Sequence, residues 1–515
     1  MKNPINTFLL FSSIIFLLGS SSCNSPRSND IINLEELTIS EIHDAYKEGR
    51  YTSEQLVLAF QERISQFDDS VNSITFINDD ALVLAKELDE EFKKTGVLRP
   101  LHGIPIIVKD NINVSGIPTT AGSLALEHYM PAENAFIIYK LIKAGAIVIA
   151  KSNMAEWAFS PMHSESSTKG ITHNPYNLNY VPAGSSGGTG ASVAANFGTV
   201  GLGTDTGNSI RGPSSHNALV GFRTTLGLIS RSGIVPLFLR NDVVGPMCRT
   251  VEDATKVMEI MVGIDPLDSI TNYSKNKTQK NYQQFLLKDG LQSARIGVLR
   301  ELSNNNPDPE VLALFNQSIA DMKSMGAIIV DSVVVPDFST LKENQWCADF
   351  RKDVESFLTA YVKNDTIMTI EDIIRIGTRS DYTAERLQHQ MKNNGRYENP
   401  EEPCLDAYTD ARRIAFRNAI ERKMDELHLD AIVYPTWNNK PAGIDAFQEE
   451  YKGDNNQIIA PHTGQPAFTV PMGFTTGNLP AGLQFLGRMY DEPTLIKLAY
   501  SYEQGTNHRK PPVVR

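Results

Sequence analysis

The chain has 515 residues, 41% of them hydrophobic and 21% charged, with a net charge of −12 at pH 7. That length can bury a large core and by itself suggests about three domains, while the composition is that of a globular enzyme. The acidic balance argues against nucleic acid or an anionic membrane surface as partner.

Residues 1–23 stand apart from the rest. Lys2 supplies a positive start, Phe8 to Leu18 an apolar stretch, and Gly19-Ser20-Ser21-Ser22 small residues ahead of Cys23. The segment reads as a secretory signal, too short to span a membrane. Cys23, followed by a polar linker over 24–33, resembles a bacterial lipoprotein cleavage and lipidation site. The expectation is an exported, periplasmic or cell-envelope protein whose one membrane contact is that lipid anchor. Setting Cys23 aside leaves Cys248, Cys347 and Cys404, an odd number that indicates no disulfide framework.

From residue 34 the elements follow in order. Thr38-x-x-Glu41 and Thr52-x-x-Gln55 are capping boxes, and the first helix they open ends near Gly49. Ile104 to Val108 is an almost continuous apolar run suited to a buried strand, with Lys109 at its end. Residues 133–144 form an amphipathic helix stopped by Gly145, and Ala146 to Ala150 a short buried strand. Glycines at 184, 187, 188, 190, 198, 201, 203 and 207 then come too densely for an ordinary helix or strand. Each marks a sharp bend or a close approach of backbone. Further on, Ala294 to Leu299 is a strand, Pro309 to Ser324 a helix and Ala327 to Val335 a strand. This alternation argues a parallel or mixed sheet covered by helices. Residues 340–428 are helical and charged, with a loop near 393–403. Asp430 to Tyr434 and Phe468 to Val470 are late strands, and Glu492 to Glu503 closes the chain as a helix.

The chemistry concentrates in the glycine-rich segment. A loop that offers bare backbone N–H groups beside a serine is what acyl transfer requires, the hydroxyl attacking and the amides holding the oxyanion. A serine needs a base, and a lysine can serve only when neutral, which burial favours by penalising the ammonium. Lys109 follows a buried strand, where a lysine is otherwise costly. Taken singly, a lysine after an apolar run is more often a solvated strand end, and serines among glycines are mostly loop residues. Gly184-Ser185-Ser186-Gly187-Gly188 also fits the G-x-S-x-G nucleophile elbow, but residues 177–183 do not read as the buried strand that motif needs. Gly201-Leu202-Gly203 lacks the last glycine of a dinucleotide loop, and no H-E-x-x-H or Cys/His cluster appears. No metal or organic cofactor is implied. His102 and His216, beside these motifs, read as packing or hydrogen-bonding residues.

Several motifs in order carry a resemblance. They are Leu101-His102-Gly103-Ile104-Pro105 through Lys109-Asp110, Thr119-Thr120-Ala121-Gly122-Ser123, Asn174-Pro175-Tyr176 and the Gly/Ser core to Arg211. Gly227 to Gly233, Gly245-Pro246-Met247, Gly464-Gln465-Pro466-Ala467 and Leu479 to Gln484 complete the series. Together they resemble the amidase signature family, over residues 35–510 with a looser stretch near 340–405. The resemblance implies one α/β/α domain over 34–515, with a mixed central sheet covered by helices and 340–428 as a variable, mainly helical region. It implies a Ser–Ser–Lys triad, with Ser209 the nucleophile, Ser185 the bridging serine after a cis peptide bond, and Lys109 the base. Thr206, Gly207, Asn208 and Ser209 would form the oxyanion hole, supported by Asp205 and Arg211. Asn208 departs from the family, which usually has glycine there; were φ positive at that position, asparagine would tolerate it best. The motifs around Leu101 to Leu126 and Ser230 to Pro236 look most like peptide-amidase-type members, which remove C-terminal amide groups. The expected substrate is therefore a small-molecule or peptide amide. Two other classes stay open, the amidase component of a tRNA-dependent amidotransferase and a catalytically silent binding lipoprotein.

Overall fold

Two threonines set the start of the fold. In the computed structural model, which describes Met1 and residues 32–346, 349–392 and 404–514, Thr38 and Glu41 cap helix Ile39–Glu48 reciprocally. Gly49 ends that helix at φ 66°. Thr52 and Gln55 do the same for Ser53–Val71. Each box satisfies N–H groups that a helix start leaves unpaired. The expected signal segment with Cys23, along with Cys347 and the loop at 393–403, lies outside the described residues.

Residues 34–515 form one compact unit. Its first strands are β1 (Ile74–Ile77), β2 (Pro105–Lys109) and β3 (Ile147–Ser152); β4 (Glu165–Ser166) and β5 (Gly170–Ile171) make a separate two-stranded ribbon. Next come β6 (Val200–Asp205), β7 (Val220–Arg223), β8 (Val243–Cys248), β9 (Arg295–Val298) and β10 (Ile328–Asp331). The last are β11 (Ala431–Pro435), β12 (Ala467–Thr475) and β13 (Leu479–Leu486). Eleven strands make one sheet in the order β1-β3-β2-β6-β8-β7-β12-β13-β11-β9-β10. β2 runs parallel to β3 and β6, and β9 parallel to β10 and β11, while the middle of the sheet is antiparallel. Helices flank this mixed sheet. β2 and β6 end together at Lys109 and Asp205, and the carboxyl ends of parallel strands are where open α/β sheets place their sites.

Three differences from the sequence reading have physical causes. The dense glycines do not exclude regular structure: Gly187, Gly188 and Gly190 lie in helix Gly187–Ala194, and Gly201 and Gly203 lie in β6. They serve close packing, because a Cβ on Gly188 would stand 2.1 Å from the Asn153 carbonyl oxygen and one on Gly201 2.5 Å from Thr189 Cγ2. The odd cysteine count is also resolved otherwise than expected. Cys248 is buried and free at the end of β8, while Cys404 is disulfide-bonded, its partner lying outside the described residues. Cys248 is a core thiol held away from any partner by its burial, so an odd count does not exclude a disulfide at Cys404. Finally, strands β1, β7, β8 and β13 carry no alternation or turn signal that stood out, since they are short or wholly buried.

Within 340–428 the described elements include helices Phe350–Phe357, Ile370–Ile376, Asp381–Lys392 and Ala411–Glu426, with no strand among the described residues. The first three share an apolar cluster with Trp157 and Phe159. Phe350 meets Phe159 edge-on at 4.8 Å, so this region closes over the loops after β3.

Candidate active site

Lys109 is fully buried at the last position of β2. Its Nζ donates to Ser185 Oγ at 2.8 Å and to Thr204 Oγ1 at 2.8 Å. Thr204 Oγ1 also accepts from Asn111 Nδ2 at 3.2 Å. The neighbours of the amine are thus hydroxyls. Burial pushes the Lys109 ammonium down to about 7, against the pull of Asp205 and Asp242. A group poised there exchanges its proton near neutrality.

Ser185 follows a cis peptide bond from Gly184. That turn is tightly enclosed: a Cβ on Gly184 would lie 2.2 Å from the His163 carbonyl oxygen. Ser209 sits on the loop between β6 and helix Arg211–His216, and its Oγ donates to Asn208 Oδ1 at 3.3 Å, the one hydrogen bond of that hydroxyl among the described residues. The structure brings Lys109 and Ser185 into contact, then, while the Ser209 hydroxyl is turned to Asn208. Asn208 does not take a positive φ, so the backbone reason for tolerating asparagine falls away. Its side chain is engaged instead, with Nδ2 donating to the Pro161 carbonyl at 3.1 Å.

The loop between β6 and that helix is held from below. The Asp205 carboxylate meets Arg211 Nε at 3.1 Å and Arg223 Nη1 at 2.8 Å, all three side chains fully buried. It also accepts from the N–H of Ile210 at 3.2 Å and of Arg211 at 3.4 Å. Burial alone would raise this carboxyl, but the two guanidiniums hold it at about 2. Arg211 Nη2 donates to the Gly207 carbonyl at 2.7 Å, and the Gly212 N–H takes the Asn208 carbonyl at 2.7 Å. A trans peptide points its N–H opposite to its C=O. With these carbonyls bonded inward, the N–H groups of Asn208 and Ser209 face away, and those of Thr206, Gly207, Asn208 and Ser209 find no acceptor among the described residues. Adjacent unpaired backbone amides of this kind suit an oxyanion.

Sequence reasoning missed Thr204, Arg223 and Asp242. Asp242 accepts from Thr206 Oγ1 at 2.5 Å and from the N–H of Leu237 at 2.9 Å, tying the loop to β8's leading turn. Its only sequence signal is its place three residues before Gly245-Pro246.

A family model described as Amidase matches residues 55–496. The chain belongs to the Amidase family. It is accordingly a hydrolase of amide C–N bonds. Among its relatives is a probable amidase of Arabidopsis thaliana, 32% identical over 98% of this chain and 96% of that protein. A glutamyl-tRNA(Gln) amidotransferase subunit of Thermoanaerobacter pseudethanolicus is 30% identical over 93% of this chain and 99% of its own. The crystal structure of native peptide amidase from Stenotrophomonas maltophilia superposes with a TM-score of 0.82 at 31% identity, covering 93% of this chain and 99% of that one.

The buried Asp205 pairing gives a prediction for this amidase. Asp205→Asn leaves two buried guanidiniums without their anion, and removing one partner of such a group costs about 3–5 kcal/mol. Thermal unfolding should show a markedly lowered Tm. A Tm equal to wild type would mean that carbonyls alone satisfy Arg211 and Arg223.

Proposed function

We propose that the protein hydrolyses C-terminal peptide amides through an acyl-Ser209 intermediate, with Lys109, Ser185 and Ser209 as the catalytic relay. The observation that carries this reading is the 2.8 Å bond from a wholly buried Lys109 amine to Ser185. Neutral Lys109 accepts the Ser185 proton as Ser185 accepts that of Ser209. The Ser209 oxygen then adds to the amide carbon, and the carbonyl oxygen takes its charge at the N–H groups of Thr206 to Ser209. Collapse breaks the C–N bond, with the proton returning through Ser185 to the leaving nitrogen, so ammonia departs. Water, activated by the same relay, adds to the acyl-serine and releases the carboxylate. In this relay the Ser209 hydroxyl leaves Asn208 for Ser185, and catalytic hydrogen bonds commonly tighten only with substrate bound.

Peptide amides are favoured over the amidotransferase role by degree of likeness. The peptide amidase superposes with a TM-score of 0.82, against 0.71 for the glutamyl-tRNA(Gln) amidotransferase subunit from Thermotoga maritima. The proposal includes export, with Cys23 carrying a lipid anchor, supported by the apolar stretch Phe8 to Leu18 and the small residues before Cys23.

Four outcomes test these statements. Ser209→Ala should lose all labelling by a fluorophosphonate, and undiminished labelling or turnover would refute the nucleophile. Ser185→Ala and Lys109→Ala should remain folded with turnover reduced about 10²–10⁴-fold, the usual worth of general-base assistance. Because the working amine is the deprotonated form and burial holds it at about 7, kcat/KM should climb as pH rises through neutrality and level off above it. A flat profile with chemistry rate-limiting would remove Lys109 as base. For the anchor, Cys23→Ser should release the protein from membranes, and an intact mass without acyl groups at Cys23 would leave plain secretion.

A further inference from the structure

One side chain beside the oxyanion loop is fixed with an unused acceptor. Gln457 ends the short helix Asn455–Gln457, and its Nε2 donates to Asp454 Oδ2 at 3.0 Å and to the Tyr451 hydroxyl. Tyr451 donates to the same Asp454 oxygen at 3.0 Å, and Asn456 supplies two donors to the other, from N at 3.1 Å and Nδ2 at 2.9 Å. A carboxylate ringed by donors dictates which end of the Gln457 amide faces it, because only the nitrogen can donate. The oxygen must therefore point the other way. It points at the loop: Gln457 Oε1 lies 3.2 Å from where a Cβ on Gly207 would stand, and it accepts no hydrogen bond among the described residues.

The position is anchored to the loop itself. Arg211, which holds the Gly207 carbonyl, also donates to the Asn456 carbonyl at 3.1 Å. His462 Nε2 bonds the Gln457 carbonyl at 2.9 Å and packs edge-on against Trp346 at 4.7 Å. Trp346 also packs against Gly207, with Cη2 3.0 Å from the same Cβ position. Side by side, the loop thus offers backbone donors and Gln457 a backbone-like acceptor. An extended peptide residue turns its own N–H and C=O to one side, which is how facing residues of antiparallel strands exchange two hydrogen bonds. If the carbonyl of the scissile amide occupies the loop amides, the N–H of that same residue lies beside it.

We propose that Gln457 Oε1 accepts the backbone N–H of the residue carrying the scissile amide, so that the site selects N-acylated amino-acid amides over carboxamides lacking that N–H. This rests on the acyl-Ser209 reading above and adds what the acyl side must present. A site built to bond a substrate N–H rejects the analogue without it, because its own polar group is then left unpaired.

The test compares ammonia release from N-acetylphenylalaninamide and from its isostere with oxygen replacing the N–H, O-acetyl-3-phenyllactamide. Wild type should favour the first in kcat/KM by roughly tenfold to a hundredfold. Gln457→Met should bring the ratio to within about threefold, while fluorophosphonate labelling of Ser209 persists. Should Gln457→Met fail to fold, Gln457→Ser carries the same expectation. A purely structural role would lower both substrates alike and keep the ratio, which overturns the proposal, as does a wild type that does not discriminate. A wild type that releases ammonia from neither substrate overturns the peptide-amide reading along with this one.

Discussion

Burial of a single amine organises this site. Lys109 has no solvent contact, and moving an ammonium out of water is costly enough that the group sheds its proton unless an anion compensates. The surroundings withhold that anion at contact distance. Its two partners are hydroxyls, and the carboxylate of Asp205, at the end of the adjacent parallel strand, is spent on Arg211 and Arg223. One strand over, Lys151 is equally buried but has Asp110 at 3.5 Å, together with Thr119 Oγ1 and the Ile112 carbonyl at 2.8 Å each. Burial pushes Lys151 down as well, to about 8, with Asp110 pulling the other way. Two lysines at neighbouring strand ends thus differ by what faces them. The one given a carboxylate braces the loop after β2, and the one given a serine is left free to exchange a proton.

The glycines make that enclosure possible. Helix Gly187–Ala194 can bring Ser185 to Lys109 only by lying against β3's trailing loop and on β6, and at each contact a methyl group would intrude. Gly188 meets the Asn153 carbonyl, Gly201 meets Thr189, and a Cβ on Gly203 would be 2.6 Å from Met247 Sδ. Glycine is a poor helix former and weakens strands, so the segment accepts a local cost in exchange for backbone proximity. Packing of this kind excludes water from the amine, and exclusion of water is what lowers its proton affinity.

This explains what could and could not be read from the sequence. Lys109 was legible because an apolar run ending in lysine is a local pattern, and both capping boxes were legible because their partners are three residues apart. The glycine-rich stretch announced close approach, but its secondary structure was misread, since nothing in the letters says whether glycine answers to a bend or to a neighbour. Thr204, Asp242 and Gln457 were invisible for a related reason. Each acts on a residue brought near by sheet order, Asp242 on Thr206 across the β6–β8 edge and Gln457 on Gly207 across half the chain. The free Cys248 misled the disulfide count because only burial removes it from the tally.

Asn208 joins these themes at the proposed nucleophile. Glycine in its place would need no justification from φ, since the backbone there is ordinary, so the side chain itself must account for the residue. Its nitrogen is committed to the Pro161 carbonyl, which leaves its oxygen as acceptor for the Ser209 hydroxyl at 3.3 Å. That distance is long for a hydroxyl donor, whose bonds cluster near 2.7–2.8 Å, and the contact is correspondingly weak. Ser185, by contrast, is paired directly with Lys109 at 2.8 Å, the base of the proposed relay. The Ser209 proton therefore rests on a poor acceptor. In the proposed reaction the Ser209 hydroxyl turns from Asn208 to the carbon of a substrate carbonyl held at the loop amides. The weak Asn208 bond is the only interaction of that hydroxyl among the described residues that must be surrendered on the way.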